Sequence, residues 1–507
     1  MTAHGIAPEG RRDRDAGPLP LPDGERIVRG AQGRVYRVGR TDRELLGYPR
    51  WTMVLLPWVA MLAISVFEYA YGAAEATLAA AHHWSHTGTF WVLSVWIFFQ
   101  AAVAYPAGRL REKGAVSSRT AMLAGSVLCL LGFVSLAHAP ALWWAVAGFG
   151  LLGGTGAGLV YATCINTVGK WYPERRGGKT GFVNGGFAYG AVPFIFLFSY
   201  GFDAGNYRAV LDLVGVYVLL LTALAGFFFK DPPKNWWPAH VPVPGAGGPR
   251  GSSLPDAPGG ARATDPPGRV RAKVADQDVR TALALRKNPP AAGQFTPRQA
   301  LRTGRLPLMW LCLLCTAGVS IFGISFQVPF AKDVGFGPLV AASSMGIMSV
   351  VNGTGRGVVG WVSDRLGRRV TLTYVCVVLG LAQFGVLWAG QSGNQPLFLV
   401  FAFVSGFGGG AFFPLFAALV PDYFGENHNA SNYGLVYSSK LVSGLLGGGL
   451  GAAVAAAWGY AGAYATAGCV GLLAAGLSLL LRRPGSPPGR SDGRVPGMPG
   501  AVRRAAG

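Results

Sequence analysis

The sequence predicts an all-α membrane protein, with twelve transmembrane helices in two pseudo-symmetric six-helix halves. Three observations predict it. The 507 residues are 51% apolar and only 13% charged, with 76 glycines and a mean hydropathy of +0.36, a balance foreign to soluble globules. Twelve stretches are long and apolar enough to cross a hydrocarbon core of about 30 Å, which takes about 20 residues of helix. The loop after the second stretch recurs, altered, after the eighth.

The first half carries spans near 52–80, 89–107, 119–137, 141–168, 180–200 and 208–229. The second carries them near 306–331, 338–362, 370–390, 396–420, 431–456 and 460–481. The halves are thus 51–230 and 305–483. Outside them lie a basic N-terminal tail (1–50), a linker rich in Pro, Gly, Arg and Ala (231–304) and a similar C-terminal tail (484–507). None holds enough apolar area to offset the entropy of ordering, so all three are expected to be disordered. No apolar core precedes Trp51, so no signal peptide is expected and the first helix inserts directly.

Basic residues sort to one side of the membrane. The N-terminal tail holds ten Lys/Arg. The loop after span 2 offers Arg109, Arg111, Lys113 and Arg119, that after span 4 Lys170, Arg175, Arg176 and Lys179, and that after span 8 Arg365, Arg368 and Arg369. The opposite side has Arg208 and Lys332. Positive loops stay inside, so the expected location is a plasma or inner membrane, multi-pass, with both termini cytoplasmic. The net charge of +21 is then a topology signal. It makes the bilayer, with its anionic lipids, the expected partner and leaves no call for nucleic acid. All six cysteines fall in apolar spans and are expected to act as small hydrophobes. Cys312 and Cys315 lack a second ligand pair, and His82, His83 and His86 are read as loop residues, so no metal and no cofactor are expected.

The halves repeat. Gly108-x3-Glu112-Lys113 is answered by Gly360-x3-Asp364-Arg365, Trp171-Tyr172-Pro173 by Asp422-Tyr423-Phe424, and Gly153-Gly154-Thr155-Gly156 by Gly408-Gly409-Gly410. Two such halves imply a pseudo-twofold carrier that holds its substrate at their interface near the midplane.

Twelve spans with Gly360-Trp361-Val362-Ser363-Asp364-Arg365-Leu366-Gly367-Arg368-Arg369 resemble the major facilitator superfamily, whose signature is this loop. The resemblance implies a cytoplasmic latch of Asp364, Arg365 and Arg368, with Glu112 and Lys113 from the first copy. The acid is expected to pair with Arg and a helix N-terminus of the facing half. The first copy departs from the pattern, its glycine coming one residue early at Gly114, which implies a looser latch. Further motifs are similar to the oxalate/formate antiporter family. These are Asn352-Gly353-x2-Arg356-Gly357, Lys170-Trp171-Tyr172-Pro173-Glu174-Arg175-Arg176-Gly177, Asp422-Tyr423-Phe424-Gly425, and Asn432-Tyr433-Gly434 leading to Lys440. The similarity covers about residues 50–230 and 305–480.

Of the 44 basic residues, Arg356 and Lys440 alone lie deep inside apolar spans. A charge at that depth costs about 2.5–3.5 kcal/mol on insertion scales, so both are candidate anion ligands. Each sits eight residues from the cytoplasmic end of its helix, about 12 Å at the helical rise. Arg offers a planar fork suited to a carboxylate and Lys a compact charge. Tyr433, Tyr437, Lys440 and Gly444 share a helix face, and Ser349, Asn352 and Arg356 form a polar stripe. The resemblance implies that Arg356 and Lys440 bind the anion and that aromatic residues of spans 1, 4, 10 and 11 wall it. Here these are Tyr69, Tyr161, Phe403, Phe407 and Tyr437, with Asn352 beside them.

Where the family tends to have Gln-Tyr in span 1, this chain has Glu68-Tyr69. An ionised Glu68 lowers the cavity charge from +2 to about +1 and favours a monocarboxylate; a protonated one could carry a coupling proton. The expected function is a secondary carrier of small carboxylates, of the oxalate/formate exchange type. The alternative within the fold is a proton-coupled monocarboxylate symporter. A membrane sensor or scaffold would need a signalling domain that the linker does not resemble. An enzyme is not expected, since the spans hold no H-E-x-x-H, Ser/His pair or nucleotide loop.

Overall fold

The structure, a computed structural model, describes residues 24–30, 34–243 and 281–485. Among the described residues ten stretches are long and apolar enough to span a membrane; one of them holds two helices, and with a further, more polar helix they make twelve. The first half comprises α1 (Thr52–His82), α2 (His86–Ala102, continuing as Ala104–Glu112), α3 (Ser118–Ala137), α4 (Leu142–Trp171), α5 (Pro173–Tyr200) and α6 (Tyr207–Phe227). The second half opens with α7 (Arg305–Asp333), α8 (Pro338–Leu366), α9 (Arg368–Gln391) and α10 (Gln395–Phe424). The stretch Asn429–Leu479 holds α11 (429–458) and α12 (460–479), parted where Gly459 turns to φ 67°. α8 is not among the ten, because Ser343, Ser344, Ser349, Asn352 and its glycines dilute the apolar residues. Ser344, Asn352, Arg356, Ser363 and Asp364 are buried against protein, where a helix can carry them.

The protein is therefore a multi-pass membrane protein of two six-helix bundles. They meet mainly through α5 against α8 and α2 against α11, all close to the end that carries the basic loops. Small residues permit this approach. Gly177 and Gly181 of α5 lie against the backbone at Gly360 and Arg356 of α8, where a methyl would collide. Beyond mid-membrane the packing opens. A Cβ added to Gly72, one turn past Glu68, or to Gly444, one turn past Lys440, would have nothing within 4 Å. The main contacts between the bundles thus close the basic end.

Several helices break at similar depth. α1 is interrupted at Ser65, α2 at Val103, α5 between Tyr189 and Val192, and α11 at Ser438. Interrupted helices at membrane depth are tolerated where they border protein or a cavity.

The expected disorder of tail and linker does not hold for all their residues. β1 (Arg26–Arg29) and β2 (Val35–Val38) pair antiparallel. Tyr36 and Val38 pack with Trp237 and Val241 from the segment after α6, with Leu285 alongside. This small second core suffices to order what the composition alone would leave loose. The segment before α7 is also folded: Asn288 bonds the Ser363 and Asp364 carbonyls and accepts from the Arg368 amide. Residues 1–23, 31–33, 244–280 and 486–507, also expected to be disordered, lie outside the described residues.

Candidate functional site: two cations between the halves

Arg356 is buried at the contact of α8 with α5 and α1. An arginine has five N–H donors, and protein acceptors take all of them. Nε and Nη2 donate to Asn352 Oδ1 at 3.2 and 2.9 Å. Nη1 donates to Asn184 Oδ1 at 2.5 Å and to its carbonyl at 3.3 Å. Nη2 also donates to the Tyr69 hydroxyl at 2.9 Å. The Phe413 ring lies 5.3 Å from the guanidinium carbon, within cation–π range. Every acceptor is neutral, so the charge is solvated but not cancelled.

Lys440 follows the break in α11 and is equally enclosed. Its Nζ donates to Glu68 Oε1 at 2.7 Å and to Gln100 Oε1 at 2.9 Å. Gln100 returns a bond from Nε2 to Glu68 Oε2 at 3.1 Å. The three side chains close a ring of hydrogen bonds across the interface, because Glu68 and Gln100 belong to the first half and Lys440 to the second. Adjacent residues of α1 thus reach both cations, Glu68 taking Lys440 and Tyr69 taking Arg356.

Aromatic rings fill the space beside them. Tyr161 stacks on Tyr437 with centroids 5.0 Å apart, and Tyr433 follows at 5.7 Å from Tyr437. Lys440 Nζ lies 5.9 Å from the Tyr437 centroid. Asn184 Nδ2 donates to the Tyr161 hydroxyl at 2.9 Å, so this one amide orients both Arg356 and Tyr161. Of the residues expected here, Tyr69, Tyr161, Asn352, Arg356, Tyr437, Lys440 and Glu68 come together. Phe407 packs against Gly355 of α8 as a helix-contact residue. Phe403 is 51% exposed on α10 and packs on none of these side chains among the contacts described. α10 is apolar on every face, so its sequence could not show which side turns inward; Phe413, further along, is the ring that reaches Arg356. Asn184 and Gln100 were also missed, because an uncharged amide in an apolar span carries little signal.

The latch gathers at the basic end. Asp364 accepts from the Gly177 and Gly178 amides at the start of α5 at 3.0 and 2.7 Å, and from Arg368 at 2.6 Å. Glu112 accepts from the Ser431 amide at 2.8 Å and from its hydroxyl. The two repeats therefore do one job, each acid meeting the amide-rich start of a helix in the facing half. Arg365 stands apart, stacked 3.5 Å over Trp361, and Lys113 is exposed. Residues not foreseen complete the network. Arg176 pairs with Asp422 and, at 2.6 Å, with Glu426; Arg368 also reaches Asp422 at 3.1 Å. Arg34 of the hairpin pairs with Glu426 and donates to the Ala291 carbonyl at 3.2 Å. Burial would raise the Glu426 carboxyl, but Arg34 and Arg176 outweigh it and hold the group at about 2. Asp231, just past α6, is likewise desolvated, yet Lys170 and Arg111 keep it well below the usual carboxylate range.

Among the described residues no three metal-ligating side chains cluster. His82 stacks on Trp84 at 4.2 Å, a packing contact.

The model of the Major Facilitator Superfamily matches residues 57–399 and 390–503. The chain belongs to that superfamily. It is a membrane transporter of this type, a class whose members are not generally enzymes. It is 26% identical over 352 residues to an uncharacterized superfamily transporter, YhjX, of Escherichia coli (strain K12), covering 69% of this chain and 74% of that one. It is 24% identical over 296 residues to the oxalate:formate antiporter of Oxalobacter formigenes, covering 58% of this chain and 59% of the antiporter. Monocarboxylate transporter 12-B of Danio rerio is 25% identical over 354 residues, with 69% of this chain and 70% of that one covered. Among solved structures, the proton:xylose symporter XylE aligns at TM-score 0.58 and 14% identity, over 85% of this chain and 95% of that one. The human organic anion transporter MFSD10 aligns at 0.58 and 17%, over 85% and 100%. These structural likenesses establish the fold.

Proposed function

We propose that the chain carries small carboxylate anions across the cell membrane by alternating access, with the anion held between Arg356 and Lys440. The observation that carries this reading is the meeting of two buried cations of one half with Tyr69, Asn184, Glu68 and Gln100 of the other at mid-membrane. An anion placed there touches both halves, so its binding and their rocking are linked. Tyr161 and Tyr437 supply an aromatic wall that suits a small planar group. Relatives named for oxalate and formate, and for monocarboxylates, agree with this substrate class. With the basic loops in the cytoplasm, the state described here faces outward.

A second reading, a proton-coupled monocarboxylate symporter, is favoured by the Lys440–Glu68 pair, which lowers the site charge and offers a protonatable group. Proteoliposomes distinguish the two. Uptake of labelled oxalate that needs internal oxalate or formate supports exchange. Uptake of lactate or pyruvate driven by an inward proton gradient supports symport. Loss of either in Arg356→Ala and Lys440→Ala proteins is expected; uptake that survives both substitutions overturns the site.

A further inference from the structure

Glu68 and Gln100 do more than line the site. Glu68 comes from α1 in the first half, Lys440 from α11 in the second, and their 2.7 Å ion pair crosses the interface on which the halves must rock. Gln100 bonds both partners and holds the carboxylate against the ammonium. A carboxylate oxygen on Lys440 is what a bound anion would supply. The protein itself supplies one, tethered to the facing half.

We infer that Glu68 is a built-in counter-ion that lets the empty carrier reorient, so that the protein performs net transport and not only one-for-one exchange. The inference rests on the proposed two-cation site and concerns how that site turns over. To change its facing, a carrier must pass through a state closed to water at both ends. Uncompensated charge is costly in such a state, and an ion pair with its hydrogen bonds made is far less so. With Glu68 in place the empty site holds Arg356, Lys440 and one carboxylate, a net charge of about +1. Arg356 itself has all five donors satisfied. Without the Glu68 charge the empty site would hold about +2. It could then cross readily only with an anion aboard, and such a carrier is an obligatory exchanger. An arriving carboxylate takes Lys440 from Glu68, and when it departs Glu68 closes on Lys440 again.

The test compares two fluxes through the same liposomes, with the membrane potential clamped by potassium and valinomycin. Labelled lactate and labelled oxalate are each followed as efflux into anion-free buffer and as exchange against the same external anion. Wild-type protein is expected to show net efflux within about tenfold of exchange. Glu68→Gln should lower the ratio of net efflux to exchange at least tenfold. Glu68→Asp keeps a carboxylate on α1 and both anion ligands, and should hold the ratio within about threefold of wild type. A ratio unchanged in Glu68→Gln, or lowered as far in Glu68→Asp, overturns the counter-ion role while leaving the anion site standing. No flux of either anion in either mode, from wild-type protein shown to be folded, overturns the underlying reading instead.

Discussion

Replacing Gly181 by alanine tests whether the closed basic end depends on backbone contact between α5 and α8. The added Cβ would run into the Arg356 carbonyl, with the carbonyl carbon at 3.2 Å and Gly360 Cα at 3.3 Å. Both obstacles are main chain, so neither can swing aside as a side chain would. Overpacking of this kind costs about 1–3 kcal/mol, and only the state in which the helices touch suffers it. At about 1.4 kcal/mol per factor of ten, the balance should move away from the closed basic end by roughly 5- to 150-fold. The assay uses a Ser431→Cys reporter in a background freed of the six native cysteines. Ser431 is fully buried and bonds Glu112 across the interface, so its reaction with a bulky maleimide in detergent reads opening. Gly444→Ala is the control, since its Cβ would meet nothing within 4 Å. Unaccelerated labelling in Gly181→Ala, or equal acceleration in the control, would refute the reasoning.

Three further outcomes are expected. Arg356→Lys keeps the charge but has three donors for sites that now take five, at about 1.5–3 kcal/mol for each charged hydrogen bond lost; transport should fall at least tenfold, measured as initial uptake. Arg34→Ala removes one of the two cations on Glu426 and should speed labelling of the Ser431→Cys reporter about tenfold, in line with one charged bond lost. Glu426 is held at about 2 against an ordinary 4.5, so its stabilisation is complete above about pH 4.5 and fades as pH falls toward 2. The thermal midpoint in detergent should therefore carry no Glu426 contribution to its slope between pH 5 and 8. It should drop below pH 4.5, and Glu426→Gln should lessen that drop.

Eleven of the twelve spans were readable as long apolar runs between polar loops, the fusion of α11 with α12 at Gly459 blurring one boundary; α8, more polar, was readable by its place in the repeat. Arg356 and Lys440 stood out for the same reason in reverse, as charges where charges are rare. What they bond was not readable. Asn184 meets Arg356 only when α5 lies on α8, and Gln100 meets Lys440 only when α2 lies on α11. Phe413 was overlooked because an all-apolar helix gives no sign of its inner face. The hairpin was hidden by averaging. Its alternating Tyr36 and Val38 are real strand signals, but they sit in a fifty-residue tail whose overall composition is polar and basic.

The hairpin also bears on how the protein is made. Arg34 and its partner Glu426 are 392 residues apart. At a synthesis rate of about 5–20 residues per second, Arg34 is made roughly 20–80 s before Glu426 exists. The segments that hold the hairpin come in instalments, first Trp237 and Val241 after α6, then Leu285 before α7, and last the turn into α11. A ribosome that stops anywhere before that turn leaves the hairpin without its last anchor. The cap beneath the bundle therefore reaches its full set of contacts only once synthesis has entered the eleventh helix.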